Sequence, residues 1–279
     1  VKAQYPHIIF IGEVYHPNQY RTYLAAGFDY LYDKVGMYDC LRDVMCGHRP
    51  ASDITRQWQA TDDIREHVLY FLENHDEQRI ASDFFCGNMQ KGIPALIVSA
   101  LFQRNPVMIY AGQEFGERGM DGEGFSGVDG RSTIFDYWSV DAIRKGFFER
   151  SELSAEQLQL EKNYRTILTL CNSEKAVREG KTFDLTYANE TNESFDSSRL
   201  FAFLRSSGNT TLLIVANFGE TEAHVRVNIP SHAFDYMELK EGKKDMVDLL
   251  SGNHQTATLQ RDGAIEMIVP ALSGRVYKF

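Results

Sequence analysis

Hydrophobic and polar positions divide the chain into two styles of patterning. Up to about residue 178, short apolar runs alternate with longer amphipathic stretches. Residues 7–12 (HIIFIG) read as a buried strand, apolar and ending at a glycine. Residues 28–32, 68–72 and 106–111 read as three more strands. Between them, 38–46 and 89–103 carry helical spacing, and 52–66 is a weaker helix with Ile54, Trp58 and Ile64 among polar residues. Ser154-Ala-Glu-Gln157 is a capping box, so a helix opens there, with Leu158, Tyr164, Ile167, Leu168 and Cys171 as its apolar face. Strand and helix in this rhythm predict parallel βα units.

From residue 182 the period changes. Short alternating strands at 182–187, 200–205, 211–217 and 223–229 are followed by weaker ones ending at 277–279, separated by turns such as Ser207-Gly208-Asn209 and Asp262-Gly263. That predicts an antiparallel β-sandwich of about 95 residues. The run Lys240-Glu-Gly-Lys-Lys244 reads as a solvated turn. Two domains are therefore expected, 1–178 and 179–279.

Composition narrows the function classes. The 279 residues are 43% hydrophobic and 24% charged, enough for a sizeable core and too apolar for disorder. A net charge of −10 argues against nucleic acid or an anionic membrane as partner. The longest apolar run, 93–102, is interrupted by Pro94 and Ser99 and is too short to span a bilayer, so no membrane insertion is expected. The chain opens on Val1 with no signal-peptide pattern, which suggests part of a longer protein and leaves the compartment open. Cys40, Cys46, Cys86 and Cys171 have no CxxC spacing. They read as free thiols, with a zinc site on Cys46 and His48 the minor reading.

In parallel βα proteins, functional groups sit at the carboxyl ends of the strands. Here those ends read Gly12-Glu13-Val14-Tyr15, then Glu73-Asn74-His75-Asp76 with Arg79 beyond, then Gly112-Gln113-Glu114. Each carboxylate alone has a plain reading as a cap or an ion-pair partner. Two acids on one such sheet also meet the needs of glycoside hydrolysis: one carboxyl gives a proton to the leaving oxygen, another offsets charge growing on the sugar ring.

The ordered segments F-I-G-E-V-Y (10–15), F-L-E-N-H-D-E-Q-R (71–79) and N-P-V-M-I-Y-A-G-Q-E-F-G (105–116) resemble the last conserved regions of the alpha-amylase family, glycoside hydrolase family 13. Residues 27–31 (GFDYL) fit the strand between the first two. The segment 124–138 is similar to the loop after the last barrel strand, and the β-rich tail to the family's C-terminal domain. The resemblance implies strands five to eight of a TIM (β/α)8 barrel, followed by the antiparallel sandwich. It implies Glu13 as general acid/base, Asp76 as the carboxylate that stabilises the transition state, His75 as a donor to the same sugar, and Asn74 beside it as a further substrate-binding residue. Arg79 and Glu114 match positions that either support the substrate site or form structural salt bridges. Tyr15, His16, Phe125, Tyr137 and Trp138 are the candidate subsite groups, with ordinary packing the alternative for Phe135 and Trp138.

One part of the family pattern is missing. Its nucleophile is an Asp in a G-x-R-x-D motif that precedes the acid, and nothing here matches it. The resemblance thus implies a retaining α-1,4-glucan hydrolase whose nucleophile lies upstream, so that residues 1–279 alone are inactive. The alternatives are a non-catalytic glucan-binding protein on the same scaffold, or an α-glucan transglycosylase. No cofactor is implied. Calcium is a possible ligand of the loop 116–130 through Glu117, Asp121, Glu123 and Asp129, although the spacing is not that of an EF-hand, and the family's usual calcium region lies outside the sequence. Expected partners are a starch-like glucan and either the missing N-terminal half or a second copy, because a half barrel has open edges.

Overall fold

The computed structural model describes residues 1–121, 128–135 and 139–279. Four short strands, β1 (Ile11–Glu13), β2 (Tyr30–Tyr32), β3 (Val68–Phe71) and β4 (Val107–Met108), form a parallel sheet in sequence order. Helices cross between them: α1 (Tyr20–Ala25) before β2, α2 (Asp39–Met45) and α3 (Asp53–Ala60) before β3, and α4 (Gly92–Leu101) before β4. After β4 come α5 (Asp141–Phe147), α6 (Ala155–Ser173) and α7 (Lys175–Arg178). No helix of the described residues is long and apolar enough to cross a membrane.

Every residue of β3 is buried, as its unbroken apolar run predicts. Val68 and Tyr70 face the helices, whereas Leu69 and Phe71 pack on the other face with Tyr30, Tyr32, Tyr38 and Met108. The strand at 7–12 differs from its prediction. Only three residues pair, and Ile11 is 52% exposed, because β1 has β2 on one side and no strand on the other among the described residues. Gly12 is needed there: a Cβ would meet the Phe28 ring at 2.8 Å.

The capping box at Ser154 and Gln157 is present in both directions. The buried face of α6 is Leu160, Tyr164, Ile167 and Leu170. Leu158 is 43% exposed, since two residues of helix turn it well away from Leu160. Helices α1 and α5 are too short to show a clear period in the sequence.

The second sheet is antiparallel. Strands β5 (Lys181–Asp184), β6 (Leu200–Ser207), β7 (Thr210–Asn217), β9 (Gly242–Asp248), β10 (His254–Leu259) and β12 (Ser273–Lys278) run in the order β10-β9-β12-β7-β6-β5. A two-stranded sheet, β8 (Ala223–Ile229) with β11 (Gly263–Val269), lies against it, together with α8 (Ser231–Met237). Part of the expected solvated turn at Lys240–Lys244 is strand: Lys243 and Lys244 pair with Thr258 and Ala257 as the charged start of β9.

The faces of β6 and β7 explain why these strands are almost continuously apolar. Leu200, Ala202, Leu204, Leu213 and Val215 face β8 and β11, while Phe201, Phe203, Leu212, Ile214 and Ala216 face the helices that cover the parallel sheet. Phe102 meets Phe201 and Phe203 edge-on at 5.2 and 5.0 Å. Both cores thus share one sheet.

Arg205 sits fully buried in that seam. It donates to the carbonyls of Leu101 at 3.2 Å, Phe102 at 2.7 Å, Val177 at 2.5 Å and Gly180 at 3.1 Å. These oxygens close the C-terminal ends of α4 and α7, where the helix dipole favours a cation. Burial pulls the guanidinium down to about 9, so it remains charged at neutral pH. Arg205→Met strips four carbonyls of their donor and is expected to cost roughly 3–5 kcal/mol, read as a lowered urea midpoint. An unchanged midpoint would remove Arg205 from this role.

Candidate active site

The carboxyl ends of β1 and β3 bring the predicted pair together. Glu13 is the last residue of β1, level with Tyr32 of β2. After β3 the chain turns on Asn74, whose buried Oδ1 accepts from the backbone N–H of Asp76 at 3.0 Å and of Glu77 at 2.8 Å. That Asx turn pushes the two intervening side chains outward. His75 Nε2 lies 3.5 Å from Asp76 Oδ2. Glu13, His75 and Asp76 each offer one ligand atom, and the three atoms lie within 4.8 Å of one another.

A supporting layer fixes this group. Glu77 accepts from Tyr38 Oη at 3.2 Å and is paired with Lys34 at 3.1 Å; Tyr38 stacks on Phe71 with ring centroids 4.8 Å apart. Arg131 Nε donates to the Asp76 carbonyl at 2.6 Å. Tyr15 Oη donates to Glu13 Oε1 at 2.9 Å. The Tyr15 phenol is pushed up to about 12, first by burial, then by its hydrogen bond to Glu13 and the negative charges of Glu13, Asp76 and Glu77. It therefore stays a donor through the neutral range and orients Glu13.

The chemistry available is specific. Two carboxyl groups and an imidazole converge where a positive charge developing between them is stabilised by direct Coulomb attraction. The trio could equally hold a divalent cation. It is the one group of three or more potential ligands gathered among the described residues.

Several predicted residues lie elsewhere. Arg79 is 1% exposed and does not reach the site surface. Its guanidinium pairs with buried Glu73 at 2.8 Å, donates to Ser132 Oγ and the Ala111 carbonyl at 2.9 Å each, and lies 4.2 Å from the Tyr110 ring centroid. Asn74 is likewise buried; its Oδ1 shapes the turn, and its Nδ2 has no hydrogen-bond partner among the described residues. Glu114 turns back on its own loop, where Oε2 accepts from Gly112 N–H at 3.1 Å and burial raises its pKa. His16 is exposed just after β1, where its carbonyl starts the single turn Pro17–Gln19. Phe125, Tyr137 and Trp138 lie outside the described residues.

Some residues of the minor metal readings are engaged within the chain. Glu117 is buried and accepts from Gly119 N–H at 2.7 Å and Ala142 N–H at 3.2 Å, and Asp129 pairs with Arg131 at 3.2 Å. Glu123 lies outside the described residues. All four cysteines are free, and Cys46 Sγ lies 3.7 Å from Cys86 Sγ rather than in a cluster with His48. Sequence reasoning missed Tyr38, Lys34, Glu77 and Arg131. Glu77 and Arg131 stand inside the quoted motifs, so they were within reach.

Comparison with known proteins agrees with the motif resemblance. Residues 191–279 match the family described as "Alpha amylase, C-terminal all-beta domain". The chain superposes over 100% of its length on a noncanonic maltogenic alpha-amylase, AmyB, from Thermotoga neapolitana, with a TM-score of 0.70 and 16% identity, covering 56% of that protein. It matches the alpha-amylase of Geobacillus thermoleovorans, solved with acarbose, over 99% with a TM-score of 0.69 and 17% identity, covering 54%. A debranching enzyme from Nostoc punctiforme matches over 100% with a TM-score of 0.62 and 18% identity, covering 52%. The chain thus spans about half the length of these structures. No curated protein sequence matches it.

Proposed function

Starting from an alpha-amylase C-terminal domain at 191–279 and an alpha-amylase-like fold throughout, we propose that this chain carries the acid/base side of a retaining α-glucan hydrolase. On this reading β1 to β4 are strands five to eight of a (β/α)8 barrel. The observation that carries it is the convergence of Glu13, His75 and Asp76 at two strand ends.

Each group has a defined task. Glu13 gives its proton to the glycosidic oxygen as the bond to the anomeric carbon breaks. A nucleophilic carboxylate attacks that carbon from the opposite face, about 5 Å from the acid, and forms a glycosyl ester. Asp76 holds the ring hydroxyls and offsets the oxocarbenium charge, with His75 donating to the same sugar. Glu13, now ionised, takes a proton from water, whose oxygen displaces the ester with net retention.

The nucleophile belongs to chain outside these 279 residues, since no G-x-R-x-D occurs here. The one-sided β1, with Ile11 exposed on it and Ile9 exposed just before it, supports further strands beyond it. Acarbose and maltose in solved amylases of this fold support an α-1,4-glucan as substrate. The test is reducing-sugar release from maltoheptaose. Residues 1–279 alone are expected to release none, and a protein completed with the upstream half is expected to release maltooligosaccharides of α configuration. Release by residues 1–279 alone would refute the external nucleophile. Silence from the completed protein would favour the non-catalytic, glucan-binding alternative.

A further inference from the structure

A second cavity lies between α3, β5 and α8. Its position follows from the topology: Arg65 and Gln103, two of its lining residues, come just before β3 and β4. It therefore opens at the amino ends of the parallel strands, on the side opposite Glu13 and Asp76. Its volume is about 340 Å³, the low end of the range for small-ligand sites.

Aromatic rings form the wall. Phe183 lies 6.2 Å from Tyr187, 5.5 Å from His232 and 6.1 Å from Tyr236, centroid to centroid. Tyr187 and Tyr236 remain 44% and 48% exposed, with Lys181 Nζ 5.4 Å from the Tyr236 ring centroid and the Tyr187 hydroxyl bonded to His232 Nε2. Trp58 completes the wall, its indole Nε1 fixed by Asp184 Oδ2 at 2.8 Å. At depth stands Gln103, 3% exposed, whose Oε1 accepts no hydrogen bond. A buried acceptor left open costs about 1–3 kcal/mol, so a ligand hydroxyl that reaches it has a ready partner.

The carboxylates of the lining are already engaged by protein groups. Asp184 is occupied by Thr55 at 2.7 Å, Trp58 and the Thr186 N–H at 2.8 Å, and Asp62 pairs with Arg65 at 2.8 Å. With both carboxylates engaged from within the chain, what the lining leaves open is aromatic surface and one acceptor. The demand is for a neutral group with one flat apolar face and a hydroxylated rim, which describes a sugar ring.

We propose that this cavity is a second carbohydrate site, separate from the Glu13 site. It would take one or two rings of a neutral glucan against Tyr187, Tyr236 and Trp58, with a hydroxyl donating to Gln103 Oε1. The choice of α-glucan rests on the function proposed above; the site itself rests on the cavity. A second site on the opposite side of the sheet would hold a long substrate near the enzyme without competing for the reacting segment.

Calorimetric titration of maltoheptaose into the completed protein in a Glu13→Gln background tests it. Two binding events are expected. The double variant Tyr187→Ala/Tyr236→Ala, which truncates half-exposed rings, weakens one by about tenfold or more. Gln103→Met, which keeps the volume and removes the acceptor, weakens the same one. Asp76→Ala weakens only the other. A single event indifferent to Tyr187, Tyr236 and Gln103 overturns the second site and leaves the function intact. Binding lost in those variants but indifferent to Asp76 supports this cavity and counts against the active-site reading.

Discussion

Glu13→Gln in the completed enzyme is expected to lower glucan turnover by about 10²–10⁴-fold, the usual contribution of a general acid/base. Gln matches Glu in size and its amide oxygen can still accept from Tyr15 Oη, the 2.9 Å contact that orients the side chain. What it lacks is a proton to give the glycosidic oxygen and a carboxylate to receive one from water. The loss should therefore fall on kcat, with maltoheptaose binding nearly unchanged, because His75 and Asp76 still present their polar atoms. A parallel loss of binding would mean that the substitution deformed the site, and near-normal turnover would remove Glu13 from its role.

Arg79→Met is expected to cost roughly 3–5 kcal/mol, as removal of one partner from a buried ion pair does. Glu73 would remain buried with its Ile80 N–H contact at 2.8 Å but without its cation. The loss reaches the site through the contacts of the guanidinium. The Arg79 side chain also ties Ser132 and Ala111 to the segment that presents His75 and Asp76, and the substitution removes both ties, whereas the main-chain bond from residue 79 to Gly130 at 2.7 Å stays.

The same substitution has a pH signature. Burial already raises the Glu73 carboxyl in the folded protein, with Arg79 opposing the rise. A raised folded pKa adds stability that is complete below the unfolded value, about 4.3, and is lost as pH rises through the folded one. Without Arg79 the folded value rises further. The stability gap between wild type and variant is thus expected to be small near pH 4 and to widen toward neutral pH in thermal melts. A gap that narrows with rising pH would contradict the assignment. Glu73→Gln in the Arg79→Met background should recover part of the loss, since it removes the unpaired charge.

Legibility of the molecule in its sequence follows from where each residue finds its partners. β3 and the turn after it were readable because their causes are local: a four-residue run buried on both faces, and an Asn two residues before an Asp. Glu13 and Tyr15 share a side of the chain through the two-residue period of a strand, so their contact was also within reach. The exposure of β1 was not readable from its own apolar run, which suggests burial; only the resemblance, with its half barrel, implied an open edge there. The burial of Arg79 and Arg205 was hidden for a related reason. A guanidinium is read as surface until the fold shows which carbonyls and carboxylates surround it. The aromatic cavity joins Trp58, Phe183 and Tyr236 from three distant segments, and no spacing signals that.

The most direct test of the central claim compares two leaving groups in Glu13→Gln. Fluoride departs with little help from an acid, whereas a sugar oxygen needs the proton. With α-maltosyl fluoride the variant should form the glycosyl ester at close to the wild-type rate and then stall, while maltoheptaose stays nearly inert. Added azide, which attacks without a general base, should release the stalled sugar as α-maltosyl azide. If turnover of the fluoride falls as far as that of the oligosaccharide and azide yields no product, Glu13 is not the acid/base and the reading of this site is wrong.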